Sequence, residues 1–250
     1  MKPKRRIRAW AVVVWLLIWQ AVGTMIGKDI LLVTPAVAFL RLIQLSVTAE
    51  FWASIFFSLT RIGLGFSAGV VVGVLFAYFS FYHQRVREFL EPMMQTIRSV
   101  PVASFIILAL IWFSSKNLSV LISFLMVLPI MYQNTLAGME SADPLLKEMA
   151  SVFEVPASRY LRYIYVAQLM PFVRAGVSVS LGLSWKAGVA AEVIGVPSRS
   201  IGEHLQHAKI YLDTPSLFAW TIVIVGLSVL FEKSVLALMD FLAEKARVMR

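Results

Sequence analysis

The sequence predicts an all-α integral membrane protein of about six transmembrane helices, with one long loop on the cytoplasmic side. Three observations carry that expectation. The 250-residue chain is 59% hydrophobic and only 15% charged, and its mean hydropathy of +0.79 is far above that of a soluble domain. Apolar runs approaching the roughly 20 residues that cross a bilayer core recur along it. Its cations gather in alternate connecting segments, the pattern that orients spans in a membrane.

The first run, residues 9–27, follows Lys2, Lys4, Arg5, Arg6 and Arg8. An export signal has the same layout, but AWAVVVWLLIWQAVG is long, rich in Trp and followed by no small-x-small cleavage site, so it reads as an uncleaved span with a cytoplasmic amino terminus. Further spans are expected at residues 62–81, 102–113, 118–136, 172–195 and 217–236. The third is short for a crossing. Its helix must recruit residues 97–100 despite Pro101, or cross as an interrupted helix.

With six spans the inward segments hold the amino-terminal cations, then Arg85, Arg87 and Arg98, then Lys147, Arg159, Arg162 and Arg174, then Lys233, Lys245, Arg247 and Arg250. The outward segments hold only Lys28, Arg41, Lys116, Arg199 and Lys209. Both termini therefore face the cytoplasm. The net charge of +9 is accounted for by topology anchors that favour anionic lipid headgroups, with no nucleic acid required.

No cysteine occurs, which excludes disulfides, thiolate metal sites and cysteine nucleophiles. His83, His204 and His207 fall in loops or at span ends; the last two could share a helix face around a metal, but with no third ligand beyond Glu203 they read as surface polar residues. Phosphate-cradling loops, nucleophile elbows and His-Glu-x-x-His pairs are missing. The chain supplies no evident chemistry of its own, and neither tail nor loop is long enough to bury an independent core, so residues 1–250 read as one transmembrane domain.

The inward interval at about residues 140–171 is too long for a connector between antiparallel spans. Asp143-Pro144 suits a helix cap and first turn, Leu146, Met149, Ala150 and Phe153 recur at helical spacing, and Pro156 interrupts before a second short helix at residues 157–166. Such an amphipathic pair either floats in the headgroups or docks into a groove on a soluble partner.

Glu148-Met149-Ala150, a turn after it, and the closing Pro171 resemble the Glu-Ala-Ala loop of permease subunits in bacterial ABC importers, the MetI-like family of inner-membrane components. SLTRIGLGFSAGVVVGVLFAY from Ser58, FLEPMMQTIRSVP ending at Pro101, LPIMYQNTLAGMESADPLLKEMA from Leu128 and GLSWKAGVAAEVIG from Gly182 resemble its sulfonate, taurine and nitrate branch. The resemblance covers about residues 50–240. It implies a type I importer permease fold with a cytoplasmic coupling helix in residues 140–170, in an inner membrane. It also implies a second permease copy, ATPase subunits that use ATP and magnesium, and an extracytoplasmic solute-binding protein, with no cofactor bound by this chain. For ATPase docking the loop offers Glu148 as the candidate polar anchor and Leu145, Met149, Val152 and Phe153 as candidate apolar contacts, with Ala150 and Glu154 in the same docking set. The family pattern has glycine where this chain has Glu154, and proline where it has Ala167.

Within the spans, Gly65, Gly69 and Gly73 recur four apart, and Gly176, Ser180, Ser184 and Gly188 repeat the pattern, as close helix packing requires. Glu192 continues that second row, where a carboxylate must face protein or a wet cavity. Arg61, Lys186 and Glu192 are candidates for the solute path or gate, the cations suiting an anion; alternatively Arg61 snorkels to an interface and Lys186 pairs with a carboxylate. An uncharged nutrient such as a pyrimidine or riboflavin-like compound is the other substrate reading. A self-sufficient transporter or channel is the competing class; a membrane enzyme would need convergent catalytic groups that the sequence does not offer.

Overall fold

The computed structural model describes residues 9–28 and 30–248. Lys2, Lys4, Arg5, Arg6, Arg8 and Arg250, all counted above among the inward cations, lie outside the described residues. Helices α1 (Ala9–Ile26), α2 (Pro35–Ser46), α3 (Ala49–Tyr82), α4 (Gln84–Ser99), α5 (Val102–Trp112) and α6 (Ser115–Glu140) lead to α7 (Pro144–Val152). The one-turn α8 (Ala157–Arg159), a π-helical stretch (Tyr160–Tyr165), α9 (Val166–Gly195), α10 (Ile201–Ile210) and α11 (Thr214–Val248) complete the described chain.

Among the described residues four helices are long and apolar enough to cross a membrane: Ala49–Tyr82, Ser115–Glu140, Tyr163–Gly195 and Thr214–Phe241. One further helix pair, α4 with α5, is long and apolar enough only when its two bent halves are taken together. Pro101 supplies no N–H and pushes Val100 to extended backbone (ψ 131°), so α4 and α5 meet at 107°. The two halves together accompany α6 along its length: Leu90, Met94 and Ile97 of α4 pack on Leu128, Tyr132 and Leu136, while Ile106 and Ala109 of α5 pack on Leu118 and Ile122. The apolar helix at residues 10–26 sits at the short limit for a span.

Close packing of α3, α6 and α9 makes the centre. A Cβ on Gly69 would stand 2.7 Å from Val127 Cβ and one on Gly73 2.7 Å from Met131 Cβ, while one on Gly65 would run into the Val120 carbonyl. From the other side a Cβ on Gly176 would lie 3.0 Å from Asn134 Cβ, and one on Gly188 2.6 Å from Ile62 Cγ1. Ser123 Oγ donates to the Ser184 carbonyl at 3.1 Å. Without side chains in the way, the backbones approach closely enough for dispersion to hold them in a solvent as apolar as their own surfaces. Outward, Trp52, Phe79, Trp112 and Leu230 stand exposed, a surface suited to lipid and ruinous in water.

Two expectations are corrected and two intervals are filled in. The second span begins at Ala49 instead of 62, because Thr48 caps it by accepting from Phe51 N–H and its early polar residues find partners. The polar intervals at residues 28–54 and 196–216, for which no element was expected either way, contain helices: Thr34 with Pro35 starts α2, and Ser200, accepting from Glu203 N–H at 2.9 Å, starts α10. The short helix expected at 157–166 is continuous with the fifth span through the π-helical stretch.

Candidate functional site

Helix α7 begins where Asp143 Oδ1 accepts from Leu145 N–H at 2.9 Å, with Pro144 in the first turn. Gln168 Oε1 accepts from Asp143 N–H at 2.9 Å and ties the cap to α9. The inner side of α7 is held by Ala150, only 5% exposed. Leu145, Met149, Val152 (77% exposed) and Phe153 face outward, and Glu148 is exposed beside them. Three large apolar side chains on a nine-residue helix and a fourth, Phe153, at its C-cap form an exposed knob.

The end of α7 explains a departure noted in the sequence. Val155 N–H donates to Ala150 O at 2.8 Å and Glu154 N–H to Ser151 O at 3.2 Å, a Schellman closure that needs a left-handed residue between helix and turn. That residue is Glu154, at φ 50°. Glycine takes this conformation freely, whereas a residue with Cβ is strained by about 1 kcal/mol. Glu154→Gly is therefore expected to raise stability by about 1 kcal/mol, read as a higher thermal midpoint of the purified protein. Position 167 lies inside α9, where alanine lets the helix pass unbroken.

At the opposite end of the bundle, α3, α6 and the turn before α10 border a cavity of about 880 Å³. Phe56, Phe57, Phe113 and Phe124 line it, with Thr60, Arg61, Asn117 and Arg199 among the polar groups. Arg61 stacks on Phe57, its Cζ 4.4 Å from the ring centroid, and donates to Asn117 Oδ1 at 2.8 Å and to the Lys116 carbonyl. Arg199, counted in the sequence only as an outward cation, was the missed member; its loop position gave no sign that it faces Arg61's cavity.

The structure separates the three charges proposed together for a path. Lys186 is exposed and, like Glu192, is not part of the cavity wall. Glu192 is 0% exposed, so of the two surroundings expected for it, protein or a wet cavity, it has protein. Ser58 Oγ donates to Glu192 Oε2 at 2.6 Å, Gly202 N–H approaches the same oxygen at 3.4 Å, and Ile201 N–H donates to Ser58 Oγ at 3.0 Å. The carboxylate and a serine thus hold the first turn of α10, whose free N–H groups attract negative charge. A six-residue interval turns Lys186 and Glu192 to different faces of α9.

His204 is likewise not the surface residue expected. Its ring stacks on Trp220 at 4.7 Å and 7°, and Nε2 lies 2.8 Å from Ser54 Oγ. Burial holds its pKa below the ordinary 6.5, against the opposing pull of Glu50 and Glu203, with His207 adding to the depression. Because the unfolded chain takes up the proton first, this contribution to stability is complete above pH 6.5 and is lost as pH falls through the lower folded value. A thermal midpoint that drops between about pH 7 and pH 5, and drops less in His204→Gln, is the expected result. Asp213 titrates below 3.8, outside this window. Among the described residues no group of three or more His, Asp or Glu could hold a metal ion.

A helical bundle with lipid-facing walls, close-packed glycine rows, an aromatic cavity at one end and an uncovered apolar knob at the other is that of a membrane transport component built to engage partners. Residues 69–248 match the family described as binding-protein-dependent transport system inner membrane component, and the chain belongs to that family. It is similar to a protein of Bacillus subtilis (strain 168) assigned as an aliphatic sulfonates transport permease, 28% identical over 232 residues that cover 89% of this chain and 83% of the relative. The taurine transport system permease of Escherichia coli (strain K12) is 27% identical, covering 90% and 84%. The nitrate import permease of a Synechocystis strain is 28% identical over a shorter stretch, 56% and 51%. The chain is thus a permease component of an ABC importer, a subunit type that is not itself catalytic.

Proposed function

We propose that this permease carries a small anion, an aliphatic sulfonate or taurine in preference to nitrate, and that α7 is its coupling helix. On this reading residues 1–250 form one permease domain that pairs with a second copy. Both termini and α7 face the cytoplasm, where two nucleotide-binding subunits spend ATP with magnesium. A solute-binding protein delivers cargo at the other face.

The observation that carries the docking role is the outward set Leu145, Met149, Val152 and Phe153 beside Glu148, fixed by buried Ala150 and the strained Glu154. Exposed apolar anchors around a polar handle suit a groove on a partner. For the cargo, the guanidinium groups of Arg61 and Arg199 offer charge-assisted hydrogen bonds, and the phenylalanine rings suit an organic moiety better than a bare inorganic ion. Relatives named for aliphatic sulfonates and taurine support the same class.

Uptake into vesicles carrying permease, nucleotide-binding subunits and binding protein tests this. ATP-dependent sulfonate uptake should fall about tenfold or more in Arg61→Gln, and fall less in Arg61→Lys. Uptake undiminished without the nucleotide-binding subunits would instead support a self-sufficient transporter.

A further inference from the structure

We infer that the groove between the end of α3 and the start of α4 binds one anionic phospholipid, with the acyl chain in the groove and the phosphate on Arg85. Phe76 and Phe79 of α3 and Val86, Phe89 and Leu90 of α4 line a space of about 500 Å³ whose wall is almost wholly apolar, and Arg85 stands at its rim. Phe89 is 78% exposed. On the same helix Arg87 pairs with Glu140 and Arg98 with Gln133, whereas the exposed Arg85 has no hydrogen-bond or ion-pair partner among the described residues.

The occupant follows from the combination. A phenylalanine-lined groove open to the hydrocarbon accepts a flexible alkyl chain, and an unpaired guanidinium at the helix turn meets a phosphate at headgroup depth, where each basic residue adds attraction for anionic lipid. The turn lies at the end of the bundle that also carries the pairs Arg87 with Glu140 and Arg174 with Asp240, the basic end expected to face the cytoplasm. A bound lipid would wedge the broken crossing against α3. The inference needs only that the chain spans a membrane, so it stands or falls apart from the docking role of α7.

Native mass spectrometry of the full chain in detergent, titrated with phosphatidylglycerol and with phosphatidylethanolamine, tests it. Wild type should retain the first phosphatidylglycerol roughly fivefold more tightly. Arg85→Gln should erase that preference, Arg85→Lys should keep it, and Phe89→Ala should weaken both lipids alike. Equal retention of the two lipids by wild type, or a preference that survives Arg85→Gln, overturns the inference. Because the chain has no cysteine, Phe89→Cys gives a second reading: a disulfide between two copies would show the groove covered by protein and equally overturn it.

Discussion

A chain carrying Val152→Ala with Phe153→Ala is expected to fold and reach the membrane yet lose its nucleotide-binding subunits on purification. Both side chains are exposed, so their removal should change the permease's own stability by no more than about 0.5 kcal/mol. Truncating anchors at the centre of an interface typically costs about 2 kcal/mol or more each, roughly 30-fold in affinity. Transport should fall in parallel, since on the proposed reading α7 is the contact through which the nucleotide-binding subunits act on the spans. Glu148→Ala, which removes the polar handle among these anchors, should also weaken co-purification while leaving the permease folded. The result is read by co-purification alongside a thermal melt of the isolated permease, which separates a lost interface from a lost fold.

The second large effect is expected at the other end. Gly202→Ala would drive a methyl group into the backbone and Cβ of Glu192. No flexible side chain can yield there, so α10 must lift from α9. Overpacking of this kind costs about 1–3 kcal/mol, and the buried Glu192 and Ser58 would also lose the Gly202 and Ile201 amides, a further penalty of about 1–3 kcal/mol. The internal controls are Gly182→Ala and Gly226→Ala: open space surrounds both positions, and alanine in a helix is expected to be neutral or to stabilise by up to about 1 kcal/mol. A melt in which Gly202→Ala behaves like those two would mean that α10 is not clamped as described.

Much of this architecture was legible because membrane helices declare themselves by length and apolarity. The break before Pro101 followed from the ring's missing N–H, and the α7 cap from Asp143-Pro144. What stayed hidden depended on partners distant in sequence. Arg61 was a path candidate by its charge alone until the fold supplied Asn117, and Ser58 carried no reading of its own until the fold brought it to Glu192. Glu192 was singled out as an intramembrane carboxylate that must face protein or a wet cavity, and its contacts with Ser58 and the start of α10 were visible only in the fold. The cap of α10 was readable in principle, since Ser200 and Glu203 have capping-box spacing, but its polar surroundings masked it. Arg199 belonged to the cavity only through tertiary placement. Glu154 illustrates the opposite case: the residue type was visible, and its meaning waited on a φ angle.

On the proposed function the α7 knob faces the cytoplasm and seats a nucleotide-binding subunit. Since the chain lacks cysteine, a single Val152→Cys chain can be probed with a membrane-impermeant thiol reagent in inside-out and right-side-out vesicles, with and without the nucleotide-binding subunit. Labelling confined to inside-out vesicles and suppressed by the bound subunit is the predicted result. Labelling from the opposite face, or labelling that the bound subunit leaves unchanged, would contradict it.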